Sequence, residues 1–214
     1  MPELSIIFVN FNDNAHLEKS LLSLEKNAQD IDYEVIIVDN NSTDGSQEFI
    51  KDHFPLIKFI CNEENLGFAK ANKQGIRESK GEYILLLNTD TSINPGMLQV
   101  LLQEMRGNSD IGGIGPALLK GKDDYQVSFG RKINFFSELL LKSFLNTYYK
   151  MKLKRDKKER EVNWLSGACL LIKKSILKKV GLFDENFFLY FEDIDLCLRI
   201  RENGWRLVYI PQAE

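Results

Sequence analysis

Three short stretches place acids where an apolar run ends, and each suits a step of chemistry. Asp39 closes the run Glu34-Val-Ile-Ile-Val-Asp39, where a carboxylate is costly unless it is hydrogen-bonded or faces a ligand. It reads either as a cap for the turn Asn40-Asn41-Ser42-Thr43-Asp44-Gly45 or as a group that faces a ligand. Asn88-Thr89-Asp90 follows Tyr83-Ile-Leu-Leu-Leu87. A hard cation such as Mg²⁺ or Mn²⁺ needs oxygen ligands and takes one or two carboxylates, with phosphate and water completing its shell. Asp90 meets that need, or it caps a helix near Pro95. The third stretch, Glu192-Asp193-Ile194-Asp195, opens a helical pattern. A helix N-terminus favours an ionised carboxylate by ~0.3–1 kcal/mol, which would keep a general base deprotonated. Simple complementation of the macrodipole explains the same acids.

The elements that must carry these residues alternate. Leu4 to Val9 is a short apolar run that suits a strand buried on both faces. Leu17, Leu21, Leu22 and Leu24 recur at helical spacing, and Glu34 to Asp39 is a second strand. Asp44 and Gln47 have capping-box spacing, which predicts a helix from about Gly45. Ile57 to Ile60 reads as a strand, Phe68 to Glu78 as a helix and Tyr83 to Leu87 as a fourth strand. Pro95 at a first turn predicts a helix through Met105, followed by a glycine-rich strand from Ile111 to Leu119. The second half reads as a helix from Phe135 to Tyr149, a strand from Ala168 to Ile172, helices from Lys173 to Lys179 and from Glu192 to Glu202, and a last strand from Leu207 to Ile210. Alternation of this kind predicts an α/β fold with a doubly wound, mostly parallel sheet. Ligands then bind beyond the carboxyl ends of the strands, beside Asn10-Phe11-Asn12, Asp39-Asn40-Asn41 and Asn88-Thr89-Asp90.

Composition narrows the classes. With 214 residues, 43% of them apolar and 28% charged, the chain can bury one large core, so disorder and disulfide scaffolds are excluded. Cys61, Cys169 and Cys197 have no paired spacing and are expected to be buried free thiols. Two histidines and no Cys/His cluster make zinc improbable. The start has neither a basic flank nor a long apolar core, and no stretch approaches a membrane span, so a cytoplasmic protein is expected. A dehydrogenase would need G-x-G-x-x-G after the first strand, where Asn10-Phe11-Asn12-Asp13 has no glycine. A P-loop and the basic, glycine-rich loop of a nucleotidyltransferase are also missing.

Taken in order, six segments resemble the family 2 glycosyltransferases: Ser5 to Asn12, Val38 to Gly45, Asn65 to Ala69, Leu87 to Asp90, Gly167 to Cys169, and Gly181 to Glu185 through Tyr190 to Arg199. The chain is most similar to their bacterial rhamnosyltransferase-like branch. The resemblance implies a GT-A fold in one domain over 1–214, with a nucleotide-binding half (1–118) and an acceptor-side α+β half (119–214). It implies an inverting, Mg²⁺- or Mn²⁺-dependent enzyme moving a sugar from a UDP- or dTDP-sugar to a glycan or lipid-linked saccharide in cell-surface polysaccharide synthesis. A non-catalytic nucleotide-sugar or glycan-binding module derived from such an enzyme is the alternative. By the same resemblance Val9 and Phe11 line the nucleobase pocket, Asp39 accepts from the base, and Asn65 and Gly67 pass close to the ribose. Asn88 and Asp90 form the metal motif with Asp90 as its acid, and Gly167 and Ala168 lie on the floor between donor and acceptor. Asp193 is the base, with Glu192 and Asp195 beside it. Relatives often carry a metal-binding His shortly after the last strand, where this sequence has Pro211-Gln212-Ala213-Glu214, so the resemblance implies either a C-terminally truncated domain or a metal ligand from elsewhere.

The net charge of −3 conceals one basic segment. Between Lys150 and Glu161 seven basic residues face three acidic ones, a local +4 that leaves −7 for the rest and argues against nucleic acid as a partner. The segment follows the strongly apolar stretch Phe135 to Tyr149. Over 135–160 this pairing suits peripheral contact with an anionic membrane at its inner face. It equally suits packing on the core or across a homodimer interface.

Overall fold

The computed structural model describes residues 1–121, 124–130 and 158–213. Strands β1 (Leu4–Asn10), β2 (Tyr33–Asp39), β3 (Lys58–Cys61) and β4 (Tyr83–Leu87) alternate with helices α1 (Asn14–Asn27), α2 (Ser46–His53) and α3 (Gly67–Glu78). Helix α4 (Met97–Gly107) leads to β5 (Ile111–Pro116). Two small ribbons follow, β6 (Leu118–Leu119) with β7 (Tyr125–Gln126) and β8 (Phe129–Gly130) with β10 (Trp164–Leu165). β9 (Arg160–Val162), β11 (Cys169–Lys173), α5 (Lys174–Val180), α6 (Glu192–Glu202) and β12 (Arg206–Ile210) complete the described chain.

Eight strands form one sheet in the order β3-β2-β1-β4-β11-β5-β12-β9. Strands β1 to β4 are parallel, as is the β5–β12 pair, whereas β11 runs antiparallel between β4 and β5 and β9 runs antiparallel to β12. Mostly parallel order is thus present, with one inserted strand that the apolar pattern did not reveal. A strand covered on both faces is apolar throughout whichever way it runs, so Cys169 to Ile172 carries no mark of its direction.

Both faces are covered because successive residues of a strand point oppositely. Leu4, Ile6 and Phe8 join Leu17, Leu21 and Leu24 of α1 and Leu98, Leu101 and Leu102 of α4 in one core. Ile7, Ile36 and Val38 join Ala69, Ala71 and Ile76 of α3 in the other, together with Leu196 and Ile200 of α6. Small residues let α3 approach closely. A Cβ on Gly75 would lie 2.6 Å from Ile7 Cγ2.

Several local expectations are corrected. The box at Asp44 does not form: Asp44 accepts from the Ser46 amide (3.1 Å), Gln47 donates to Asp39 instead, and Gly45 in the left-handed region (φ 86°) precedes the helix. Pro95 lies before its helix, which starts at Met97 after Gly96 (φ 83°). The strand expected over Ile111 to Leu119 ends at Pro116, and the Ala117 N–H turns to the Ala213 carbonyl. Cys169 and Cys197 are buried, their thiols pushed up to about 12 by burial, but Cys61 is exposed at the end of the edge strand β3. Among the described residues no helix is long and apolar enough to cross a membrane. The helix expected over Phe135 to Tyr149 and most of the basic segment lie outside the described residues.

Candidate active site

The parallel register sets Asn10 beside Asp39 at the carboxyl ends of β1 and β2. The Asn10 side-chain amide donates to Asp39 Oδ2 (2.7 Å) and to Ser42 Oγ (3.1 Å). Asp39 Oδ1 accepts from the Ser42 N–H (2.8 Å) and from Gln47 Nε2 (2.9 Å). Asp39 is fully buried and does not line the cavity described below. Here it is the knot that ties the loops after β1 and β2. Asp39→Ala would strand three donors, and we expect it to lower unfolding free energy by on the order of 3 kcal/mol, read from urea denaturation. A loss below about 1 kcal/mol would contradict the knot.

From this knot a chain of asparagines runs outward. The Asn62 amide donates to Asn40 Oδ1 (2.9 Å), Asn40 donates to the Gly67 carbonyl (3.2 Å), and Asn65 Oδ1 accepts from the Gly67 N–H (2.9 Å). Carboxamides donate and accept at once, so they satisfy converging loops without adding charge. Gly67 has φ 80°, and a Cβ there would clash with the Phe188 carbonyl oxygen, so only glycine allows this approach. The Phe68 N–H donates to the same oxygen (2.8 Å), fastening the start of α3 to the loop before α6.

These loops enclose a cavity of about 550 Å³ at the carboxyl ends of β1, β2 and β4. Val9, Phe11, Asn65, Gly67, Asn88, Gly167, Ala168, Glu192 and Asp193 line it together, as do Asn12, Asp13, Asn40, Phe68, Thr89, Ser166 and Phe188 to Tyr190. Phe11 is 48% exposed and presents an open ring. Asp193 is fixed by main-chain amides, Oδ2 accepting from Gly167 (2.9 Å) and Oδ1 from Ile194 (2.8 Å). A Cβ on Gly167 would just touch Asp193 Cβ and Phe68 Cε1, at 3.4 Å each, so the three residues pack closely here. Glu192 is buried, and desolvation raises its carboxyl above the ordinary range, with the neighbouring Asp193 charge adding to the rise.

Besides Asp39, two predicted residues are not brought to this wall. Asp195 accepts from Arg199 Nε (2.9 Å) and Nη2 (2.7 Å), and Arg199 also donates to the Val180 carbonyl (2.8 Å). A partly buried i, i+4 ion pair on α6 therefore engages Asp195 away from this wall. Asp90 is exposed on a neighbouring cavity of about 640 Å³, which shares Asn88 and Ala168 with the first. One acid was missed: Asp13 lines the main cavity, where its Oδ2 accepts from the Thr89 hydroxyl (2.6 Å). Its place just beyond the end of β1 was the available signal.

The electrostatics are one-sided. Asp13, Glu192 and Asp193 line the main cavity, and among the described residues no Lys, Arg or His does. Nor do three His, Cys, Asp or Glu side chains converge anywhere among them. The oxygens of Asp13, Asn88, Thr89 and Asp90 thus suit a hard cation held chiefly by phosphate and water.

Residues 5–181 match the model of glycosyl transferase family 2. The chain belongs to this family. It is 30% identical over 231 residues to the N-acetylglucosaminyl-diphospho-decaprenol L-rhamnosyltransferase of Mycobacterium tuberculosis, covering 99% of this chain and 74% of the relative. Rhamnosyltransferase WbbL of Escherichia coli is 29% identical, with 96% and 80% covered. Among solved structures, a mannosyltransferase from Pyrobaculum calidifontis in complex with GDP-Man and Mn²⁺ superposes with a TM-score of 0.70 at 17% identity, covering 99% of this chain and 55% of its own. GalNAc-T7 with UDP, GalNAc and Mn²⁺ gives 0.75 at 18% identity, covering 99% and 43%. The chain thus spans about half the length of these structures, and the likeness establishes the GT-A fold. This family 2 domain is rhamnosyltransferase-like, as its sequence led us to expect.

Proposed function

We propose that the protein is an inverting glycosyltransferase that moves a sugar from a pyrimidine nucleoside-diphosphate sugar to a hydroxyl of a glycan or lipid-linked saccharide, within a single domain over 1–214. The observation that carries this is Asp193, held by two main-chain amides on the wall of a cavity at the carboxyl ends of the strands. Inversion needs in-line attack, with a base on one side of the anomeric carbon and a neutralised leaving group on the other. Asp193 takes the proton of the acceptor O–H as its oxygen bonds to the anomeric carbon. The C–O bond to the diphosphate breaks, and the pair of electrons leaves with the phosphate. Asp90, Asn88 and Asp13 would hold Mg²⁺ or Mn²⁺, which supplies charge neutralisation for that leaving group. Ser166, Gly167 and Ala168 floor the space between donor and acceptor, while Phe11 and Val9 offer an apolar wall to the base. The rhamnosyltransferase named for a diphospho-decaprenol substrate supports a lipid-linked acceptor.

A panel of UDP-, dTDP- and GDP-sugars, scored by thermal shift with Mn²⁺ or Mg²⁺ present, tests the donor. Stabilisation by a UDP- or dTDP-sugar is expected. GDP-sugars stabilising as strongly would count decisively against the pyrimidine reading.

A further inference from the structure

Glu192 is 5% exposed yet stands in the cavity wall, and its Oε2 has no hydrogen-bond partner. Its neighbour Asp193 has both oxygens engaged. A buried polar atom without a partner is rare in a native protein and asks for one that arrives with a ligand. The charged groups sharing this cavity are Asp193 on the same helix and Asp13 on the loop after β1, with Tyr190 as a further titratable group. An anionic ligand group set against Glu192 would meet those carboxylates without a facing cation from the described lining. A neutral group that both donates and accepts meets no such cost, and a sugar hydroxyl is one. Phe68, Phe188 and Tyr190 add apolar faces suited to the C–H surface of a pyranose.

We propose that Glu192 is the anchor of a sugar subsite, its free carboxyl oxygen presenting an O–H that donates to a hydroxyl of a neutral pyranose lying beside Asp193. This assignment rests on the glycosyltransferase reading and gives the two adjacent acids different work: Asp193 takes a proton, Glu192 keeps one. Burial supports it, because desolvation and the Asp193 charge both favour the protonated carboxyl, offset only in part by its own main-chain N–H. The sign of the pH effect follows. Raising the pH through the Glu192 titration removes the donated hydrogen and places a charge against the sugar, so sugar affinity falls.

Donor and acceptor both carry hydroxyls, and the experiment separates them. Calorimetry on the full chain compares UDP and dTDP with UDP-glucose, UDP-N-acetylglucosamine and dTDP-rhamnose. A second arm adds N-acetylglucosamine or rhamnose to protein saturated with UDP or dTDP. Glu192→Ala should weaken sugar-bearing ligands about tenfold, the usual worth of one hydrogen bond, while the nucleotides alone stay within about twofold. Glu192→Gln, a neutral donor of the same length, should recover most of that loss and abolish the fall at high pH. A loss confined to nucleotide sugars assigns the donor, and one confined to added monosaccharides assigns the acceptor. Carbon-13 NMR of the glutamate carboxyls, with the Glu192 signal identified by its absence from Glu192→Gln, should show a titration above the ordinary carboxylate range. An ordinary titration, equal losses for nucleotide and nucleotide sugar, or a Glu192→Gln as damaging as Glu192→Ala would overturn the proposal alone. A wild type that binds no nucleotide sugar at all would overturn the glycosyltransferase reading and this proposal together.

Discussion

Asp193→Asn should lower sugar transfer by ~10²–10⁴-fold, the usual worth of a general base, while nucleotide affinity hardly changes. The carboxylate is held by amides from two elements, Gly167 before β11 and Ile194 in α6, so its position is set by the backbone. Asparagine keeps the shape but has one carbonyl oxygen for two donors, so one amide loses its acceptor at a cost of about 1 kcal/mol. That is far too small to account for the loss of rate. The two effects are read separately, rate from single-turnover transfer and fold from thermal unfolding. Near-normal turnover in Asp193→Asn would move the base elsewhere, and Glu192, on the same wall, would be next to test.

How much of this was legible depends on the kind of residue. The parallel half was plain because a strand buried on both faces is apolar without interruption, and Tyr83–Leu87 and Glu192–Glu202 have the expected bounds. The antiparallel course of β11 was hidden by that same property. Among the acids, Asp193 was marked by a helix start, yet Asp195, two residues on, carries the same mark and spends its charge on Arg199. Position along a helix gives spacing, not which face the cavity meets. Asp39 ends its strand as expected, but its partners Asn10, Ser42 and Gln47 come from three segments, and no local pattern announces a side chain shared among loops. The Asn40, Asn62 and Asn65 relay was missed for the same reason. Asparagine after a strand reads first as a turn former.

Removing divalent cations should weaken UDP and dTDP binding at least ~100-fold, equivalent to about 3 kcal/mol. A nucleoside diphosphate brings two or three negative charges into a cavity whose described lining offers the carboxylates of Asp13 and Asp193 and no basic side chain. Partial burial makes such repulsion stronger than in bulk water. Calorimetry with EDTA, then with Mn²⁺ or Mg²⁺ restored, measures the effect, and two variants divide it. Asp90→Ala should abolish the gain on adding cation, with Asn88→Ala weakening it less, because an amide oxygen is a poorer ligand than a carboxylate. Asp13→Asn removes a repelling charge from the cavity itself, so it should raise metal-free affinity even as it lowers the gain from cation. Those opposite signs separate a cation held by these side chains from general screening, under which Asp90→Ala would leave the gain intact. Binding insensitive both to EDTA and to Asp90→Ala would mean that the diphosphate is neutralised by cationic side chains brought from outside the described lining.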